Sequence, residues 1–226
     1  MNPYLKSTLF AGKCVVITAG PTREALDPVR YISNHSTGKM GYALAEAFLE
    51  TGASVILISG PVNLMLAHEN LKLIRVETAA QMFSRCSEYF GQCDIALFTA
   101  AVADYRPEIA ESKKIKKTDD SFNLKMVRNI DIAGEFGKIK KPGQLSIGFA
   151  LETDNELENA RLKLDKKNFD MIILNSTNDA GATFGHDTNK ITIIDKTGHE
   201  QQFDLKLKSA IAIDILHSIG VYLEVF

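Results

Sequence analysis

The 226-residue sequence predicts an α/β fold with a largely parallel sheet. Three observations carry that expectation. Short β-branched apolar runs recur along the chain, as in strands buried on both faces. Stretches with apolar residues at helical spacing lie between them. The two kinds of segment alternate, as crossover connections between parallel strands require.

CVVITA (14–19) is the first strand. In the helix that follows, Ala43, Leu44, Ala47 and Phe48 recur at helical spacing, and Gly52 suits its C-terminal cap. SVILIS (54–59) and LKLIRV (71–76) are the next strands, then a helix over 79–90 and a fourth strand, DIALFTAA (94–101). LSIGFA (145–150) and MIILN (171–175) are further buried strands. The helix between them carries Thr153 and Glu156 at capping-box spacing. KITIID (190–195) reads as an edge strand and LKLKSAIAIDILHSI (205–219) as a closing helix. Residues 105–130 are polar, lysine-rich and weakly periodic. They read as an excursion from a single domain over 1–226: a short hairpin and a mobile loop.

Composition narrows the function classes. The hydrophobic fraction of 45% supports a sizeable core, and a formal charge of −2 gives no global attraction to nucleic acid or an acidic membrane. The N-terminus lacks a signal-peptide apolar run, and no stretch approaches a membrane span. Cys14, Cys86 and Cys93 match no metal-ligand spacing, and Cys14 reads as a core thiol. A cytoplasmic location is the expectation.

Ligands of open α/β sheets bind beyond the carboxyl ends of the strands. The segments expected there are 20–41, 59–63, 99–107, 149–154 and 175–179, all rich in small or polar residues. The first is long for a strand-to-helix connection, which points to a ligand-binding role. Two common nucleotide templates fail. No glycine-rich dinucleotide turn follows Gly20-Pro21-Thr22, and Ser59 and Gly60 stand where an acidic residue would mark NAD. Around Gly38-Lys39 a P-loop would need Ser or Thr at Met40 and Gly at Ser33.

The stretches ITAGPTREALDPVRYISNHSTGKMG, AAVADYRP, KIKK (114–117) and GFALET (148–153) together resemble the phosphopantothenoylcysteine synthetase family, in its order and over nearly the whole chain. The resemblance implies a dimeric, Rossmann-like three-layer enzyme with a mixed sheet. Bacterial members use CTP and Mg²⁺ to activate 4′-phosphopantothenate as an acyl-cytidylate; L-cysteine then attacks, giving the amide and CMP. Many members carry an N-terminal flavin-dependent decarboxylase, for which this chain has no room, so no flavin is expected.

By the same resemblance Asn34, Arg30 and Lys114 are the catalytic residues. Asn34 orients the acyl carbonyl during the second half-reaction; Arg30 holds a carboxylate or phosphate; Lys114, on an arm over the triphosphate, offsets charge as pyrophosphate leaves. Ala100 and Ala101 border the intermediate. Nucleotide contacts fall at Asp104, Lys114, Ile130, Asp131, Ile132, Ala133, Phe149, Lys163 and Lys167. Taken singly, Asn34 could cap a turn, Arg30 and Lys167 could be solvated, and Asp104 could cap a turn. His35 reads as a loop-ordering residue. The second KIKK, at 138–141, reads as solvated surface. One departure stands out: the family commonly has Asn-Pro-Asp-Ile where this chain has NIDI (129–132), so Ile130 replaces a turn-setting proline, while Asp131 can still cap the next helix. Two rival classes remain open at this stage, a nicotinamide-dependent oxidoreductase and a non-catalytic nucleotide-binding regulator.

Overall fold

The computed structural model describes residues 8, 10–116, 121–176 and 185–225. In chain order its elements are β1 (Cys14–Ala19), β2 (Arg23–Ala25), β3 (Tyr31–Ser33), α1 (Lys39–Glu50), β4 (Ser54–Ser59), β5 (Leu71–Arg75) and α2 (Ala79–Tyr89). Then follow β6 (Ile95–Phe98), β7 (Tyr105–Pro107), β8 (Met126–Arg128), α3 (Ile132–Ile139), β9 (Leu145–Glu152) and α4 (Glu156–Lys166). The last are β10 (Met171–Ser176), β11 (Thr188–Asp195), β12 (Glu200–Leu207) and α5 (Lys208–Val225).

Eight strands form one sheet in the order β12-β11-β10-β9-β6-β1-β4-β5. The pairs from β5 through β10 are parallel; β11 and β12 are added antiparallel. Alternation along each strand splits the core into two sides. Val15, Ile17, Leu57, Leu97 and Ile147 pack with Leu44 and Phe48 of α1 and Ile211, Ile215 and Ile219 of α5. Val16, Ile58, Ala96 and Ile172 pack with Met82 of α2, Phe136 of α3 and Leu164 of α4. A mixed sheet between two helical layers results, the expected three-layer architecture. Strand order reverses at β1, with β4 on one side and β6 on the other; this is the switch point at which such sheets bind ligands.

Several local expectations are corrected. The segment 190–195 belongs to β11, which is interior; β12 covers it and is the edge, with mostly exposed side chains. Residues 205–207 finish β12, so the closing helix starts only at Lys208. The expected cap at Thr153 is displaced: α4 starts at Glu156, with Asn155 in a left-handed conformation (φ 43°) as its N-cap residue. A capping box does form at α2, between Thr78 and Gln81. The second lysine run is not uniformly solvated. Lys138 pairs with Glu135, but Lys140 is nearly buried against Asp170, 2.9 Å away. Cys14 is half-buried at the start of β1 and not a full core thiol; Cys86 and Cys93 are buried.

The long opening loop holds its own small hairpin, β2 paired antiparallel with β3. The excursion is likewise a hairpin at its base, where Tyr105, Arg106 and Pro107 of β7 face Arg128, Val127 and Met126 of β8. Part of the expected mobile loop, with Lys117, lies outside the described residues, as does most of 175–179.

Candidate active site

A cavity of about 680 Å³ opens beyond the carboxyl ends of the parallel strands, at the switch point. Close main-chain approach shapes its floor. Gly38 has φ +76° and turns the opening loop into α1. A Cβ on Gly41 would lie 2.6 Å from both the Ala19 Cβ and the Thr99 Oγ1, so only glycine lets the first turn of α1 sit directly over β1 and β6.

The opening loop is stitched to the segment after β6. The Ala101 N–H donates to the Gly20 carbonyl at 2.9 Å, and the Ala103 N–H to Thr22 Oγ1 at 3.0 Å. Asn34 completes the seam: its Nδ2 donates to the carbonyls of Ala101 (3.0 Å) and Val102 (3.1 Å). Reversing the amide would set its oxygen against two carbonyl oxygens, so the orientation is fixed. With both amide hydrogens so engaged, Asn34 has no donor left for the acyl carbonyl that the resemblance assigned to it, and its Oδ1 accepts no hydrogen bond among the described residues.

Asn34, Ala100, Ala101 and Asp104 stand in the cavity wall, as do Ile130, Asp131, Ile132 and Ala133 at the start of α3 and Phe149, Lys163 and Lys167 across from them. The NIDI turn holds without proline. Asn129 donates through Nδ2 to the Ala103 carbonyl at 2.8 Å and through its N–H to the Asp104 carbonyl at 2.8 Å. Asp131 caps α3, accepting from the Gly134 N–H at 3.1 Å, and also accepts from Lys167 Nζ at 2.8 Å. Burial pushes its carboxyl up, but the bonds from Lys167 and Gly134 outweigh that and hold it below the usual value. Lys163 Nζ donates to Glu152 Oε1 at 2.5 Å. Lys163 of α4 and Lys167, the residue that caps its end, therefore both enter the site paired with carboxylates of the protein.

Arg30, Lys114 and His35 are outside the wall. The structure instead brings Arg30 together with Asp27 and with the main chain beside Lys114. The wall also contains Ser36 and Lys39 from the expected 20–41 segment and Asn175 from 175–179, none of them singled out as a contact, together with Asn189 and Lys208, which lay outside every expected segment. Lys39 pairs with Asp187 at 2.5 Å, and Lys208 donates to the His186 carbonyl. Burial, with Lys39 alongside, pushes the Lys208 amine below its ordinary pKa. Asn175 ended a legible strand and Lys39 sat in a legible Gly-Lys pair, so both had signals; Asn189 and Lys208 had none. Lysines thus flank the cavity from both helical layers, α4 on one side and α1 with α5 on the other, an arrangement suited to a polyphosphate.

A family model described as DNA/pantothenate metabolism flavoprotein C-terminal domain matches residues 10–222. A relative named cysteine/cysteine sulfinic acid decarboxylase, from an unknown prokaryotic organism, is 50% identical over 208 residues, 92% of this chain and 58% of that protein. The coenzyme A biosynthesis bifunctional protein CoaBC of Bacillus subtilis (strain 168) is 47% identical over 214 residues, 95% of this chain and 52% of that protein. A crystal structure of the C-terminal domain of CoaBC superposes with a TM-score of 0.82 at 38% identity, covering 97% of this chain and 100% of that one. The chain thus spans about half the length of the curated relatives it matches. The extent of the match, from residue 10 to residue 222, shows that the chain belongs to the DNA/pantothenate metabolism flavoprotein C-terminal domain family.

Proposed function

We propose that this chain is a coenzyme A biosynthesis ligase that joins 4′-phosphopantothenate to L-cysteine through an acyl-cytidylate. The supporting observation is the cavity itself. A fixed neutral amide, Asn34, lies over the strand-end alanines, between lysines from both helical layers. In the first half-reaction a carboxylate oxygen bonds to the α-phosphorus of CTP and the bond to pyrophosphate breaks. In the second, the cysteine amine bonds to the acyl carbon, CMP leaves with the electron pair of the acyl–oxygen bond, and the amine sheds a proton. Lysines beside the phosphates stabilise the charge on both leaving groups. Asn34 Oδ1 can accept from the incoming amine and orient its lone pair on the acyl carbon.

Magnesium belongs to the same reading. Mg²⁺ is usually held by one or two carboxylates together with substrate phosphates, and Asp104 and Asp131 stand in the wall. No group of three or more His, Cys, Asp or Glu converges among the described residues, and a phosphate-borne ion needs none. A homodimer is part of the reading too: Val29, Tyr31, Ile109 and Phe122 are exposed on the opening loop and the excursion. In this reading Lys114, which stands outside the cavity wall beside the main chain that Arg30 holds, meets the phosphates of the bound substrate.

The test is pyrophosphate release with each of the four nucleoside triphosphates in the presence of phosphopantothenate and Mg²⁺, followed by mass detection of the cysteine amide. CTP-dependent release and amide formation are expected. Failure of all four triphosphates to yield pyrophosphate, beside a saturable NADH fluorescence change, would replace the ligase by an oxidoreductase. Carbon dioxide release from cysteine or its sulfinate is the control that one relative's decarboxylase name demands.

A further inference from the structure

The opening loop carries a buried charge that the proposed chemistry does not use. Asp27 is 3% exposed, and five donors meet its carboxylate. Oδ1 accepts from the N–H groups of Val29 (2.8 Å) and Arg30 (2.9 Å). Oδ2 accepts from Arg30 Nε (3.0 Å), Arg30 Nη2 (2.5 Å) and the N–H of Ile115 (3.1 Å). Arg30 Nη2 also donates to the Ile115 carbonyl at 3.1 Å. Both main-chain groups of Ile115 are therefore held, one by the anion and one by the cation of a single ion pair. Nearby, the Glu111 N–H donates to the Leu26 carbonyl at 2.9 Å.

A carboxylate buried this deeply would be costly without such saturation, so the arrangement is a built fixture. Its far end is the residue between two lysines. Ile115 is half-buried, and Lys114 and Lys116 are exposed. In an extended segment, pinning the central residue fixes the side from which both neighbours project.

We propose that Asp27 is a positioning residue: with Arg30 it docks the 114–116 segment on the opening loop and so sets where the Lys114 amine stands for the phosphate-bearing substrate. The inference rests on the ligase reading for its consequence, but the docking can be read independently. Arg30, expected from sequence to hold a ligand, acts in this arrangement through Ile115.

The experiment uses the full chain and Asp27→Asn, which keeps the shape and removes the charge. Deuterium exchange of a peptide spanning 111–116 should quicken at least about tenfold, because a hydrogen-bonded amide exchanges only on opening. Pyrophosphate release should fall about tenfold in kcat. Combined with Lys114→Gln, Asp27→Asn should cause no further loss, since residues acting as one unit are non-additive. Unchanged exchange overturns the docking; undiminished release, or losses that multiply in the double variant, overturn the positioning role. Should Asp27→Asn unfold, Ile115→Pro deletes the same N–H donor from the other side and is expected to give the same loss of release. Absence of pyrophosphate release by the unmodified chain would sink the ligase reading and the positioning role, while the exchange result would still decide the docking.

Discussion

At the residue scale, Asn34 and Asp27 show how the same loop does two different jobs. Asn34 spends both amide hydrogens on carbonyls after β6, leaving its oxygen to the cavity. Asn34→Ala should therefore slow amide formation by about 10²-fold, the order found for removing one fixed polar contact at a reacting centre. Pyrophosphate release should fall far less. Rapid-quench measurement of the two half-reactions checks this, and equal losses would remove Asn34 from the second step. Asp27 should make a pH-dependent contribution to stability. The Arg30 guanidinium, helped by the N–H groups of Val29, Ile115 and Arg30, holds its carboxyl well below the usual range against the opposing effect of burial. A depressed folded-state pKa gives a contribution that is complete above the unfolded value, about 3.9, and fades as pH falls below it. The stability gap between the unmodified protein and Asp27→Asn should accordingly be widest above about pH 5 and narrow towards pH 3. Urea titrations across that range would read it, and a constant gap would show that ionisation of Asp27 contributes nothing.

At the element scale, the first turn of α1 tests whether close approach or helix propensity decides. Gly41→Ala gains up to about 1 kcal/mol of intrinsic helix preference. The new Cβ would sit 2.6 Å from Ala19 Cβ and Thr99 Oγ1, and overpacking of this kind costs about 1–3 kcal/mol. The clash should win, with a lower melting temperature and weaker nucleotide binding, since the helix start must lift from β1. A more stable variant would show that the helix moves freely there. The same balance of local and distant forces explains what the sequence disclosed. Buried strands such as 14–19 and 54–59 were legible because apolar runs suffice to define them. β12 was not, because the phase of Phe203, Leu205 and Leu207 runs on into a lysine-rich helix start, and its partner β11 had looked like the edge. The start of α4 was misplaced because a left-handed Asn155 carries no pattern at its own position. Of the cavity wall, Asn34 could be named from a motif, but the direction of its amide depends on carbonyls 67 and 68 residues away. Lys208 lay hidden for the same reason: nothing local marks a lysine that the fold half-buries beside Lys39.

At the scale of the whole molecule, the two ends of the parallel strands carry different burdens. The carboxyl ends hold the cavity, lined by exposed and half-buried polar groups. The amino ends are closed by Asp170, just before β10, which accepts from Lys140 (2.9 Å), Lys196 (2.9 Å) and the Ser146 N–H (2.8 Å). That one carboxylate, 3% exposed, ties together the segments that enter β9 and β10 and the turn that leaves β11. Lys140 is nearly enclosed, its side chain 11% exposed, whereas Lys196 is 49% exposed. Asp170→Asn leaves Lys140 as an uncompensated buried charge, a change that costs about 3–5 kcal/mol, while Lys196→Met should cost under about 1 kcal/mol because water already screens that pair. Neither should alter nucleotide affinity more than about twofold in protein that remains folded, since sites without shared partners are additive. Melting curves and calorimetric titration with CTP on the two variants would separate the burdens. A large loss of affinity in Asp170→Asn without loss of stability would mean that the closed end of the sheet reaches the cavity through the strands themselves.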